Sequence, residues 1–143
     1  MADVHDRETR SFNMSRIRGS NTKPELIVRK FLFSNGFRYK LHDKTLPGKP
    51  DIVLPRYRTA IRIHGCFWHG HEGCSYFVVP RTRSQWWLDK INSNKARDER
   101  QLKELLDRDM TVLTIFECQL RPKELDGTLS NLVLSLRSLI PHE

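Results

Sequence analysis

A chain of 143 residues can bury roughly two thirds of its unfolded surface in one core, so it needs no disulfide framework merely to fold. Its 25 Lys and Arg against 17 Asp and Glu, a net charge of +8, argue against an acidic partner and favour a polyanion, with nucleic acid ahead of a membrane surface. No apolar run approaches the roughly eighteen residues of a membrane helix, and MADVHDRETR has no apolar signal core, so a soluble, cytoplasmic protein is expected.

Residues 1–21 carry Arg7, Arg10, Arg16 and Arg18 with little periodic apolar content, and Met14 is the odd member. They read either as a disordered basic tail or as an arm that orders on DNA, ahead of a globular domain over 22–143. Thr22 and Glu25 fit a capping box, Pro24 suits a first turn, and Ile27, Val28, Phe31 and Leu32 form a stripe that Gly36 ends. A helix is therefore expected over 22–35, and the cap alone accounts for Glu25. Tyr39–Leu41 reads as a short strand, and the turn Leu46–Pro50 leads into a second strand, Asp51–Leu54. After a reversal at Pro55–Arg58, Thr59–His64 alternates so that Ile61 and Ile63 face one side and Arg62 and His64 the other. A hairpin of these strands would bring Asp51 and His64 together at one end.

A long helix is expected over 84–107, with Ser84 as its N-cap and Trp87, Leu88, Ile91, Leu102, Leu105 and Leu106 as its buried face. Thr111–Cys118 reads as a fully buried strand, and Leu129, Leu132, Val133, Leu136 and Ile140 as a closing helix that Pro141 stops. The order is helix, three strands, helix, strand, helix.

Ile61–Cys74 holds three of the six histidines and two of the three cysteines. Cys66, His71 and Cys74 have the donor types and spacing of a tetrahedral Zn²⁺ site. Cys118, the remaining cysteine, completes a Cys₃His set or is simply a buried small side chain. Asp51 offers the oxygen donors that Mg²⁺ requires, and His64 an imidazole able to move a proton on water. Asp after Pro is common in turns, so Asp51 gains weight from its neighbours. Two adjacent aromatics, Phe67 and Trp68, cannot both enter one core from an extended loop, so at least one should be exposed. Lys90 and Asn94 lie one helical turn apart and either reach base edges or line a solvated face.

The strand-borne Asp51 resembles the PD-(D/E)XK nuclease pattern, but Arg62 and His64 stand where a second acid and a lysine would be. That departure, with Met14, Glu25, LPGKPD, HGCFWHGH, TRSQWWLDKI and FEC, resembles the very-short-patch repair (Vsr) endonucleases from about residue 3 to 123. The resemblance implies a restriction-endonuclease-like α/β core with an embedded structural zinc, and nicking of double-stranded DNA at a T:G mismatch in a bacterial cytoplasm. It implies Asp51 as ligand of one or two Mg²⁺ ions, with the backbone carbonyl of Ile63 as a further ligand. His64 and His69 match the catalytic histidines, Glu25 an acidic neighbour, and Met14, Phe67 and Trp68 wedges beside the mismatch. Arg16, Arg18, Lys90 and Asn94 are expected to contact DNA. His71 and Cys74 are one residue further apart than in that family, and Gly70 and Glu72 replace histidines, so the choice of His69 or His71 as zinc ligand stays open. A monomer acting with other mismatch-repair proteins is expected. The alternatives are a restriction-type nuclease cutting paired DNA and a non-catalytic, zinc-stabilised DNA-binding module.

Overall fold

A four-stranded mixed sheet sits between helices on its two faces in the computed structural model, which describes residues 21–139 and Pro141. Met14, Arg16, Arg18 and Ile140 lie outside the described residues. Helix α1 (Lys23–Ser34) begins at Thr22, whose hydroxyl accepts from the Glu25 N–H at 3.4 Å. The reciprocal half of the capping box does not form. The Glu25 carboxylate accepts instead from the Asn21 N–H at 3.1 Å and from Arg29 one helical turn on at 3.0 Å, and its tertiary partner is His42.

Strands β1 (Lys40–Leu41), β2 (Ile52–Leu54) and β3 (Thr59–His64) are antiparallel neighbours, and β4 (Thr111–Phe116) adds parallel to β3. The parallel step follows from the long connection through α2 (Ser84–Asp107), since a parallel pair cannot be joined by a tight turn. Helix α3 (Leu125–Arg137) closes the described chain. The element order is thus the one expected from the periodicity.

The alternation in β3 divides the molecule. Ile61 and Ile63 join Val28 and Leu32 of α1 and Leu129, Leu132, Val133 and Leu136 of α3 in the main core. Arg62 points to the other face, where its guanidinium donates to Thr114 Oγ1 at 3.0 Å and to the Asp98 carbonyl of α2 at 3.0 Å. The sheet therefore has one apolar face and one polar face at this end.

Several expectations are corrected. Ser84 is the first helical residue of α2 rather than its cap, which is Arg83 in a left-handed conformation with no side-chain cap bond. Leu88 and Leu106 are 37% and 51% exposed, because the inward stripe runs through Ile91, Asn94 and Leu105 and leaves them on its flank. Strand β4 is not fully buried: only Ile115 is, since the α2 side of this strand faces Arg62 through Thr114 instead of apolar packing. Cys118 lies beyond the strand, in a 3₁₀ turn over Glu117–Leu120.

Candidate active site

The β2–β3 register, Ile52 opposite Ile61, places Asp51 beside the end of β3, where its Oδ2 accepts from the Ile63 N–H at 2.8 Å. Glu25, 1% exposed on α1, comes to the same place. Its Oε1 lies 2.8 Å from His42 Nε2 and its Oε2 3.0 Å from Arg29 Nη1. Burial pushes the Asp51 carboxyl up to about 6; the Ile63 N–H opposes this, while the nearby Glu25 charge adds to it. Such a carboxyl is poorly satisfied as an anion and gains from a cation beside it. Glu25, His42 and Asp51 each offer a ligand atom within 4.8 Å of the others.

His64 and His69 are brought together as expected, with rings stacked at 3.8 Å and 4°. His69 Nδ1 is 2.6 Å from Asp98 Oδ2 on α2. Burial, then the neighbouring His69 and Arg62 charges, push His64 down to about 3, so its imidazole is neutral near pH 7. Burial alone would raise Asp98, but the His69 hydrogen bond and the surrounding positive groups hold it below the usual carboxylate value. A cavity of about 420 Å³ is lined by Asp51, His64, His69 and Asp98 together with Lys49, Arg62 and Arg97, so carboxylates and imidazoles face each other across a basic opening.

The cysteines form a separate cluster. Cys66, His71, Cys74 and Cys118 present donor atoms within 4.8 Å of one another, and Cys118 Sγ is 3.4 Å from His71 Nδ1. Geometry separates the two loop histidines: His71 joins the cysteines, stacking on Phe116 at 3.9 Å, and His69 joins His64. Burial pushes the Cys66 thiol up to about 12 and raises that of Cys118, whereas a backbone hydrogen bond at Tyr76 lowers Cys74. Three thiols and one imidazole, with Cys66 and Cys118 buried, fit a tetrahedral metal site.

The loop that carries these residues is pinned to α2. Asn94, buried, donates through Nδ2 to the Trp68 carbonyl at 2.9 Å. This bond makes Asn94 an anchor of the loop on α2, whereas Lys90 is exposed. Gly70 adopts φ +59, and a Cβ there would stand 2.7 Å from Ile91 Cγ2. Phe67 and Trp68 are both half-buried, contrary to the expectation that one is exposed. Their rings pack on Trp87 at 5.4 and 5.8 Å, and Trp86 adds a further ring at 4.8 Å from Trp87. The supporting wall comes from α2, whose aromatics the loop sequence alone does not reveal.

Sequence reasoning missed His42 and Asp98. Asp98 lies in the polar middle of α2, where it reads as solvated surface; its one signal is that Arg62 and His64 need polar partners across the β3–α2–β4 crossover. His42 lies just after β1, where its N–H donates to the Asp51 carbonyl at 3.1 Å.

Asp51 and the stacked His64 and His69 lining one basic cavity, at the end of a mixed sheet, suit hydrolysis of an anionic substrate. Residues 2–75 match the family model described as DNA mismatch endonuclease Vsr. The chain is 46% identical over 123 residues to the type II nicking enzyme V.NmeAIP of Neisseria meningitidis, covering 86% of this chain and 87% of that protein. It is 44% identical over 124 residues to the DNA mismatch endonuclease Vsr of Escherichia coli, covering 87% and 79%. V.XorIIP, a type II nicking enzyme of Xanthomonas oryzae, is 43% identical over 120 residues, covering 84% and 88%. The chain belongs to the Vsr family of DNA mismatch endonucleases, and it is an endonuclease. Among the described residues no helix is long and apolar enough to cross a membrane.

Proposed function

We propose that this endonuclease is Mg²⁺-dependent and strand-specific, and that it nicks double-stranded DNA next to a T:G mismatch in very-short-patch repair. The observation that carries this reading is the single basic cavity holding Asp51 on one wall and the stacked His64 and His69 on the other. The names of its relatives, a mismatch endonuclease and nicking enzymes, support cleavage of one strand.

Asp51 would hold one or two Mg²⁺ ions with the Ile63 carbonyl, and Glu25 supplies further negative charge behind it. The two oxygen donors named, the Asp51 carboxylate and the Ile63 carbonyl, suit a hard ion. The chemistry such an ion would supply there is polarisation of the scissile phosphate and a lowered pKa for the attacking water. His64, neutral at working pH, offers an unprotonated ring nitrogen that orients the attacking water. His69 keeps its Nδ1–H on Asp98, which leaves Nε2 free to take or deliver one. Lys49, Arg62 and Arg97 balance the phosphate charge at the cavity wall.

Cys66, His71, Cys74 and Cys118 would hold one structural Zn²⁺, because thiolate and imidazole donors in a closed tetrad suit that ion. The zinc then positions the loop, and with it His69, without taking part in hydrolysis. Phe67 and Trp68, with Met14 from the basic arm, are assigned as wedges at the mismatch, where stacking is already weak. Arg16, Arg18 and Lys90 are assigned to the DNA backbone. The enzyme is proposed to act as a monomer alongside other mismatch-repair proteins.

One assay discriminates the readings. A supercoiled plasmid and a T:G heteroduplex are each incubated with and without Mg²⁺. Nicking of the heteroduplex alone, in Mg²⁺ alone, is expected. Cleavage of the fully paired plasmid would favour a restriction-type nuclease, and binding without cleavage a non-catalytic module.

A further inference from the structure

We infer that His42 is a nitrogen ligand of the divalent-ion site at Asp51, and that it makes this site favour ions of the Mn²⁺ class over Mg²⁺. The inference rests on the reading that Asp51 holds the catalytic ion.

Three observations place His42 there. Its backbone N–H donates to the Asp51 carbonyl at 3.1 Å, which fixes the residue beside the carboxylate. Its backbone is left-handed, φ +47, a conformation costly for a side chain larger than glycine and sustained here by that bond. Its Nε2 then lies 2.8 Å from Glu25 Oε1, with Asp51 completing a set of donor atoms within 4.8 Å. Glu25 has little freedom to move away, because it is 1% exposed and its other oxygen is held by Arg29 and the Asn21 N–H. The corner therefore offers two carboxylates and one imidazole with donor atoms within 4.8 Å of one another.

Such a donor set does not match Mg²⁺ well. Mg²⁺ binds carboxylates and retained waters, whereas imidazole suits transition ions. To coordinate, His42 Nε2 would exchange its contact with Glu25 for the ion. Glu25 keeps Arg29 as its counter-charge.

The test uses the full-length, zinc-loaded protein. Mn²⁺ binding is followed by the loss of its free-ion EPR signal, and Mg²⁺ by competition. Nitrogen coupling to bound Mn²⁺ is read by pulsed EPR. The wild type is expected to bind Mn²⁺ at least about tenfold more tightly than Mg²⁺, with His42→Ala losing about tenfold for Mn²⁺ and less than about twofold for Mg²⁺. The nitrogen coupling should weaken in His42→Ala. His42→Gln, which preserves a donor to Glu25, decides the matter should the alanine variant not fold, and it should show the same selective loss. Equal losses for both ions, or an unchanged nitrogen coupling, would overturn the inference and leave His42 as a support for Glu25. Asp51→Asn should abolish binding of both ions. If it does not, the Asp51 reading itself fails, a result distinct from either outcome at His42.

Discussion

His69 Nδ1 and Asp98 Oδ2 lie 2.6 Å apart, joining the loop that carries Cys66 and Cys74 to the middle of α2. The bond fixes which ring nitrogen carries the proton and aims the other into the cavity. Asp98→Asn keeps the size but can present its amide N–H to Nδ1, favouring the wrong tautomer. The single-turnover nicking rate is expected to fall by about 10²-fold or more, with DNA affinity nearly unchanged. A variant that nicks at the wild-type rate would remove Asp98 from the mechanism.

Asp51 gives a pH dependence whose sign is set by its upward shift from 3.8 to about 6. In the metal-free protein the folded carboxyl holds its proton more tightly than the unfolded chain does. Its contribution is therefore complete below about pH 4 and lost as pH rises through about 6. Asp51→Asn should stabilise the metal-free protein at pH 7.5, by at most about 3 kcal/mol, and show no such gain at pH 4. Denaturant titrations at the two pH values measure this. In the wild type, Mg²⁺ affinity should weaken as pH falls below about 6, because protons compete for the same oxygens.

Removing one ligand of the cysteine cluster should undo the loop. His69 and His71 lie in it, their N–H groups donating to the Gly65 and Cys66 carbonyls at 3.1 and 2.9 Å. Cys118→Ser is expected to lose bound zinc, lower Tm, and lose nicking because His69 is no longer held against Asp98. Metal content by mass spectrometry, thermal melting and nicking are measured on one preparation. Zinc-free protein with full nicking would contradict the division between structural and catalytic metal.

Gly70→Ala tests the close approach of the same loop to α2. The added Cβ meets Ile91 Cγ2 at 2.7 Å and Lys95 Cδ at 2.9 Å, on a backbone with φ +59. Strain and overpacking together should cost about 2–4 kcal/mol. An unchanged Tm would mean that the loop is not seated as described.

The parts legible in the sequence were those with local periodicity. The alternation of Thr59–His64 gave both the strand and the division of Ile61 and Ile63 from Arg62 and His64. The scarcity of cysteine pointed to Cys118, although its position in a 3₁₀ turn was not visible. The choice between His69 and His71 was not legible, because it depends on the turn at Gly70, which sends successive histidines to different clusters. His42 and Asp98 were equally hidden. Each works through a partner far away along the chain, Glu25 and His69 respectively, and spacing does not encode contacts between elements. Phe67 and Trp68 show the converse: an isolated loop would leave one exposed, and the aromatic wall of Trp86 and Trp87 shelters both.

The central claim is that Asp51 supports hydrolysis without being needed for recognition. The most direct measurement follows Asp51→Ala on an end-labelled T:G duplex and its T:A counterpart, reading binding and nicking together in Mg²⁺. Retained preference for the T:G duplex with nicking abolished is the expected result; nicking at the wild-type rate would contradict it.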